Sequence, residues 1–211
     1  MRIDVFADIA CPWCYIGERR LKEALARRPE VEAEVRWWPF QLQPGFPREG
    51  TAWDEFVERK FGGWERARGM FAHVSRAGAE DGIRFDFERV AVAPNTRDAH
   101  RVMLLAQDEG KLWEAAEALF AGYFAEGRNV SDPSVLAGLA AAAGLDAARA
   151  REVLAGDAYA AEVDESQRVA ARSGISGVPF FVFDERYAVS GAQPVDVLLQ
   201  VIDRTLSEAA A

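Results

Sequence analysis

Two cysteines, the only ones among the 211 residues, stand three positions apart in the segment Cys11-Pro12-Trp13-Cys14. The residues from Arg2 to Asp8 ahead of them are typical of a β-strand, and apolar residues recur with helical spacing from Ile16 to Leu25 behind them. A thiol in the first turn of a helix faces unpaired backbone N–H groups and the positive end of the helix dipole, which favour the thiolate. The arrangement predicts a redox pair in which Cys11 reacts first and Cys14 attacks the mixed disulfide that forms.

Two other uses of the cysteines stay open at this point. A zinc site needs two further ligands, and the chain offers only His73 and His100, which lack the spacing of paired ligands. Buried structural thiols are the second alternative, because cysteine is often simply a core residue. We therefore predict no metal site and favour redox chemistry.

The rest of the chain predicts an α/β protein. A second strand-like segment, Val31 to Phe40, supplies the parallel partner that a βαβ unit requires. Strand patterns return only near the end, where Pro179–Phe183 and Tyr187–Ser190 predict a hairpin and Pro194 fits the first turn of a last helix. We predict a thioredoxin-like fold with a large all-helical insertion. Residues 1–41 and 175–211 form a discontinuous thioredoxin-like domain, and residues 42–174 form the helical insertion domain.

Polar residues mark the starts of predicted helices in the insertion. Thr51 is expected to cap one helix, and Asn95 or Thr96 is expected to cap another. At the far end, the residues Ala209 to Ala211 are expected to be frayed.

Charge and hydropathy narrow the classes of partner. The net charge of −9 argues against a nucleic-acid or membrane-surface footprint, and no apolar run approaches the ~20 residues that span a bilayer. The sequence runs from Met1 straight into a predicted strand without the apolar segment of a secretory signal, so we expect a cytoplasmic location. In that compartment a lone Cys-x-x-Cys is more often catalytic than structural.

Four segments together resemble the DsbA-like thioredoxin family and, within it, the FrnE-type branch. They are residues 6–17 around the dithiol, Trp38 to Leu42, Gly174 to Val182, and Ser190 to Pro194. The resemblance covers essentially the whole chain, and its motifs are specific because a dithiol, a helical insertion and a downstream Val-Pro before a strand occur in that order.

The resemblance implies roles for six residues. Cys11 is the attacking cysteine, Cys14 resolves the mixed disulfide, and Pro179 is a cis proline that lies against the disulfide. The backbone of Val178 pairs with an extended substrate, and Pro12 and Trp13 complete the substrate-binding set. The implied partner is a protein or small molecule that carries a disulfide or a thiol.

One residue departs from the best-known periplasmic oxidases of the family. Those enzymes have histidine where this chain has Trp13, and a histidine there stabilises the thiolate by charge and hydrogen bonding. Because tryptophan offers no cation, we expect a less oxidising disulfide. No cofactor is expected beyond the dithiol itself, with glutathione as an optional co-substrate.

Two functions compete with a thiol–disulfide oxidoreductase. The first is a glutathione-dependent isomerase or transferase resembling kappa-class glutathione transferases and 2-hydroxychromene-2-carboxylate isomerase, which place serine where Cys11 stands. The second is a peptide-binding, chaperone-like module built on the many aromatic residues, although their helical spacing is more typical of a core. We expect His100 to be a structural histidine and Asn95 to be a cap; neither the physiological substrate nor the direction of electron flow follows from the sequence.

Overall fold

The computed structural model describes residues 1–209, and its centre is a four-stranded sheet with strand order β2-β1-β5-β6. The strands are β1 (Arg2–Ala7), β2 (Glu34–Pro39), β5 (Phe180–Phe183) and β6 (Tyr187–Ser190). β1 runs parallel to β2 and antiparallel to β5, and β5 and β6 form the predicted hairpin. The two ends of the chain therefore build one sheet around β1.

Alternation along β1 covers both faces of this sheet. Ile3 and Val5 point into the main core, where α1 (Pro12–Ala26) and α9 (Val195–Ala209) pack. Phe6 points the other way, into a smaller cluster that includes Ala170 of α8 (Ala160–Arg172). Both faces are therefore covered, and even the charged Asp4 within the strand is buried, where its carboxylate accepts the indole N–H of Trp38.

The insertion is mainly helical, as predicted. Its helices before α8 are α2 (Trp53–Phe61), α3 (Trp64–Glu80), α4 (Arg97–Asp108), α5 (Leu112–Phe124), α6 (Pro133–Ala142) and α7 (Ala147–Ala155). The prediction of an all-helical insertion is wrong in one detail, since β3 (Thr51–Ala52) pairs antiparallel with β4 (Val92–Ala93). Two-residue strands are too short for an alternation pattern, so the sequence gives no sign of them.

The same pairing corrects the predicted cap at Thr51. This residue lies in β3, and α2 begins two residues later without a side-chain cap. At the other predicted cap, the side-chain oxygen Oδ1 of Asn95 accepts a hydrogen bond from the Arg97 N–H at 3.0 Å. It accepts a second one from Gln41 Nε2 at 3.2 Å. The N-cap residue of α4 is Thr96, which makes no side-chain cap; of the two predicted residues it is Asn95, one position earlier, that accepts the first helical N–H.

The division into domains stays a prediction, with one qualification from the packing. Helix α8, which the sequence places in the insertion, lies against β2 and covers one face of the sheet. The last helix extends to Ala209, and the remainder of the end predicted to fray lies outside the described residues. Among residues 1–209, no helix combines the length and the apolar character needed to cross a bilayer.

Candidate active site

The dithiol lies where the central strand passes into the first helix. Cys11 is the N-cap residue of α1 in an extended conformation, Pro12 occupies the first turn, and no side chain caps this helix end. The Cys14 N–H donates to the Cys11 carbonyl at 3.0 Å, so the second cysteine is already inside the helix. The positive end of the helix dipole therefore faces Cys11.

The two sulfur atoms have different surroundings. Cys11 is 6% exposed and its thiol donates to the Val178 carbonyl at 3.7 Å, whereas Cys14 is 1% exposed and its sulfur accepts the Asp8 N–H at 3.5 Å. Burial, and then the neighbouring Cys11 thiol, raise the pKa of Cys14 well above that of an exposed thiol. Cys14 is therefore the thiol that resists ionisation.

Val178 and Pro179 approach the dithiol from the far end of the chain. Their peptide bond is cis, and Pro179 is buried directly before β5. A Cβ on Gly17 in α1 would lie 2.9 Å from Pro179 Cγ and 3.1 Å from Phe181 Cζ. Only glycine at this helix position allows the proline to pack so closely on α1.

A buried polar group lies beneath the dithiol. The Asp8 carboxylate accepts the Leu42 N–H at 2.7 Å and lies 3.3 Å from His100 Nε2. The indole N–H of Trp37 donates to His100 Nδ1 at 3.2 Å. Because an indole N–H can only donate, Nδ1 acts as an acceptor and the imidazole proton lies on Nε2. This N–H is close to Asp8 but lacks the geometry of a hydrogen bond, so it is a buried donor without a partner in residues 1–209. His100 is a structural histidine, as expected, although it lies close to Asp8, whose backbone N–H contacts Cys14.

Asp8 acts on Cys14 in two opposing ways. Its backbone N–H stabilises the Cys14 thiolate, while its negative charge adds to the burial that raises the Cys14 pKa. We expect Asp8→Asn to shift the pH profile of Cys14 ionisation to lower pH, because the N–H stays and the charge is lost. The titration is followed by the ultraviolet absorbance of the Cys14 thiolate in the Cys11→Ser background, which needs no reagent to reach the buried sulfur, with the exposed Asp196→Asn as control. An unchanged profile would contradict the electrostatic role.

The side chains of Trp13 and Pro12 lie in different surroundings. The Trp13 ring is half-buried and lies 5.5 Å from the His73 ring of α3. Pro12, together with Ala10, lines an apolar cavity of about 150 Å³, which we call the aromatic cavity. Its wall includes these aromatic side chains: Phe46, Trp53, Phe56, Phe61, Phe71 and Phe124.

A buried carboxyl group lies one turn beyond Cys14 on α1. Glu18 is 4% exposed, and neither of its side-chain oxygens has a hydrogen-bond partner within residues 1–209. Burial, and then the negative charge of Glu117, raise the pKa of Glu18 to about 8. Glu117 itself accepts from Tyr15 Oη at 2.7 Å and from Arg19 at 2.6 Å, so its charge is held in place beside α1.

The structure brings four of the six predicted site residues into one place: Cys11, Cys14, Val178 and Pro179. Pro12 lies beside them in the cavity wall, and Trp13 lies toward α3. Sequence reasoning missed Asp8, Gly17 and Glu18. A glycine and a carboxylate inside the buried stripe of a helix are the signals that could have identified the last two.

No cluster of three or more metal-binding side chains occurs within the part of the chain that the structure describes.

Comparison with known proteins identifies one matching family and several solved structures that the chain resembles. Residues 2–203 match the family described as DSBA-like thioredoxin domain. The chain is 37% identical to the probable DsbA oxidoreductase SCO1869 from Streptomyces coelicolor, with a TM-score of 0.89 over 99% of this chain and 91% of that one. It also shares the fold of two more distant structures.

The first is 2-hydroxychromene-2-carboxylate isomerase, at 18% identity and a TM-score of 0.71 over 100% of this chain and 98% of that one. The second is the cytosolic disulfide reductase DsbM from Pseudomonas aeruginosa with glutathione, at 19% identity and a TM-score of 0.66 over 97% of this chain and 100% of that one. At these identities the likeness concerns the fold alone.

Proposed function

This chain belongs to the DSBA-like thioredoxin domain family, and on that premise we propose that it is a thiol–disulfide oxidoreductase whose reacting pair is Cys11 and Cys14. Membership confirms the predicted family, while the FrnE-type branch stays a prediction. The observation that carries the proposal is the unequal placement of the two thiols. Cys11 lies at the helix N-terminus against the Val178 carbonyl, and Cys14 lies buried behind it.

Each thiol then has one task. The Cys11 thiolate attacks one sulfur of a substrate disulfide, the substrate S–S bond breaks, and one substrate thiolate leaves. Cys14 loses its proton and attacks Cys11 Sγ, which releases the second substrate thiolate and forms the Cys11–Cys14 disulfide. The protein loses two electrons and the substrate gains them. The reverse sequence oxidises a dithiol, and the relative reduction potentials set the direction.

Val178 and Pro179 serve substrate binding in this proposal. The segment before β5 lies directly beside the attacking sulfur, so an extended substrate backbone that pairs with Val178 presents its disulfide to Cys11. Pro12 and Trp13 follow Cys11 in the first turn of α1, and we propose that both contact the substrate. The substrate is a protein or small molecule with a disulfide or thiol, and glutathione is the proposed co-substrate. A cytoplasmic location stays part of the proposal.

The glutathione-dependent isomerase is the second candidate, and the shared fold with 2-hydroxychromene-2-carboxylate isomerase supports it. One residue separates the two candidates. The resemblance places serine at the reacting position of such isomerases, and this chain has Cys11 there with a second thiol within reach. Redox chemistry is therefore the better-supported function.

The test is a redox titration of the Cys11–Cys14 pair against a glutathione buffer. We expect a single two-electron transition at a potential more reducing than the ~−120 mV of strongly oxidising DsbA proteins, because Trp13 supplies no cation. The transition should vanish in both Cys11→Ser and Cys14→Ser. A glutathione-dependent isomerase activity that survives in Cys11→Ser, without a measurable redox transition in the wild type, would support the second candidate instead.

A further inference from the structure

We propose that the aromatic cavity binds a single aromatic ring that carries a hydrogen-bond acceptor at its inner end and an anionic group at its outer end. The proposal deepens the proposed function, because it rests on the bound ring belonging to the molecule whose disulfide Cys11 attacks. It names a substrate class: small aryl disulfides with an acidic substituent.

The cavity reaches the chain on both sides of the attacking residue, although Cys11 itself is not one of its lining residues. Ala10 and Pro12 are the two chain neighbours of Cys11, and both line the cavity. The opposite wall comes from the loop after β2 and from α2 and α3 of the insertion. A ligand held there is therefore beside the residue that starts the exchange.

The volume and the lining fit one ring. The cavity encloses about 150 Å³, and a cavity of about 150 Å³ with an apolar lining is known to take up benzene. Its walls already use ring-on-ring contacts, such as Trp53 against Phe71 with centroids 5.8 Å apart. Offset or edge-on contacts of this kind add specificity for a further aromatic ring. A peptide backbone or glutathione, which are polar along their length, suits such a lining poorly.

An unpartnered donor in the wall indicates that the ring carries an acceptor. Trp53 lines the cavity and is 7% exposed, yet its buried indole N–H meets no acceptor anywhere in residues 1–209. A buried N–H without a partner is costly, and most buried polar groups have one. A hydroxyl or carbonyl oxygen on a bound ring would satisfy it.

The charge at the cavity rim indicates an anion. Lys60 lines the cavity, is exposed, and forms no ion pair with any residue from 1 to 209. The neighbouring Arg59 guanidinium lies 5.2 Å from the Phe46 ring centroid, but its charge is paired with Glu55 at 3.9 Å. In a protein of net charge −9, the unpaired Lys60 ammonium at an apolar opening is complementary to an acidic ligand.

The chemistry for such a substrate balances without another reactant. The Cys11 thiolate attacks one sulfur of the aryl disulfide and displaces an aryl thiolate, which leaves a mixed disulfide on Cys11. Cys14 loses its proton to solvent and attacks Cys11 Sγ, which breaks the mixed disulfide and releases the second aryl thiolate. The dithiol supplies both electrons, and an aryl thiolate is a good leaving group because its thiol has a low pKa.

Binding is tested with 4-hydroxybenzoate, which has a ring, an inner acceptor and an outer carboxylate, against benzoate and phenol as probes that each lack one group. The readout is the NMR signal of the Trp53 indole N–H, identified by its loss in Trp53→Phe. We expect this signal to shift in a saturable way with 4-hydroxybenzoate. We expect either control probe to bind about 2- to 10-fold more weakly, as fits one hydrogen bond or one exposed ion pair.

Two variants distinguish the hydrogen bond from Trp53 from the ion pair with Lys60. Trp53→Phe lacks the indole signal, so its binding is measured by titration calorimetry; it should weaken 4-hydroxybenzoate and leave benzoate unaffected. Lys60→Met should weaken both carboxylates and leave phenol unaffected. Lys111→Met, a lysine at the start of α5, is the matched control. The proposal is overturned if 4-hydroxybenzoate shows no saturable binding, if the Trp53 signal does not move, or if Lys60→Met and Lys111→Met behave alike.

The outcome is distinguishable from failure of the proposed function. Binding is repeated in Cys11→Ser, where it should persist because the cavity contacts do not involve the sulfur. Single-turnover reduction of 5,5′-dithiobis(2-nitrobenzoate) is then compared with that of 2-hydroxyethyl disulfide, and Lys60→Met should lower the ratio of the two rates several-fold. Normal reduction of both disulfides with no ring binding would sink the cavity proposal alone. Ring binding without a redox-active dithiol would sink the oxidoreductase alone.

Discussion

Cys14→Ser is expected to turn the protein into a trap for its own substrates. Cys11 keeps its place at the start of α1 and still attacks, but no thiol remains within reach to release the mixed disulfide. Cys11→Ser should form no such adduct, because the remaining thiol is 1% exposed and burial raises its pKa. Turnover in both variants should fall to the uncatalysed background.

The adducts are read by mass spectrometry of non-reduced protein after exposure to a glutathione disulfide mixture or a cell extract. The Cys11→Ser/Cys14→Ser double variant is the control for thiol-independent attachment. Adducts on Cys11→Ser in preference to Cys14→Ser would reverse the assigned roles. Wild-type turnover in both single variants would show that the dithiol is incidental.

Glu18→Gln is expected to stabilise the protein at alkaline pH. The folded state holds the pKa of Glu18 at about 8 through burial and the charge of Glu117, against an ordinary value of 4.5. A raised carboxyl pKa means that the folded state prefers the proton. This contribution to stability is complete below about pH 4.5, declines as the pH rises through about 8, and is absent above it.

The size of the effect follows from the shift. One pKa unit corresponds to 1.36 kcal/mol, so the full shift of the Glu18 pKa would change the free energy of unfolding by ~5 kcal/mol. We expect a change on the order of 3 kcal/mol, because local relaxation of the structure reduces it. Glutamine keeps the shape and cannot ionise, so the Tm advantage of Glu18→Gln should grow by several degrees from pH 5 to pH 9. Thermal unfolding across that range is the measurement. The matched control is Glu23→Gln, which lies exposed on the same helix. Parallel curves for wild type and Glu18→Gln would contradict the raised pKa.

Local patterns were enough to predict the framework of this fold. The strand before Cys11, the helix after Pro12 and the hairpin at Tyr187 each follow from residues that are close in sequence, and all are confirmed. The pairing of β3 with β4 was out of reach, because four residues from two loops carry no periodic signal. The same holds for the contact between Asp8 and His100, which depends on how α4 packs beside the sheet.

In the candidate site, too, some residues could be predicted from the sequence and others depend on the packed structure. Cys11 and Cys14 are three positions apart in sequence and could be identified directly, while the aromatic cavity joins Pro12 to helices that lie many residues later. Glu18 illustrates the limit most clearly. Its position in the helical stripe is visible in the sequence, but the nearby Glu117 and the missing donors are properties of the packed structure.

The central strand has a consequence for how the protein is made. β1 is translated well before its neighbour β5 and before the Val178 carbonyl that lies beside Cys11, since Cys11 and Val178 are separated by 167 positions. At a synthesis rate of ~5–20 residues per second, roughly 10–30 s pass between the translation of the two halves of the site. During that time the nascent chain carries both thiols without the strand and loop that later bury them. Its reactive pair is therefore most accessible to cellular oxidants and thiols until the segment around Val178 and β5 has been translated and has folded against it.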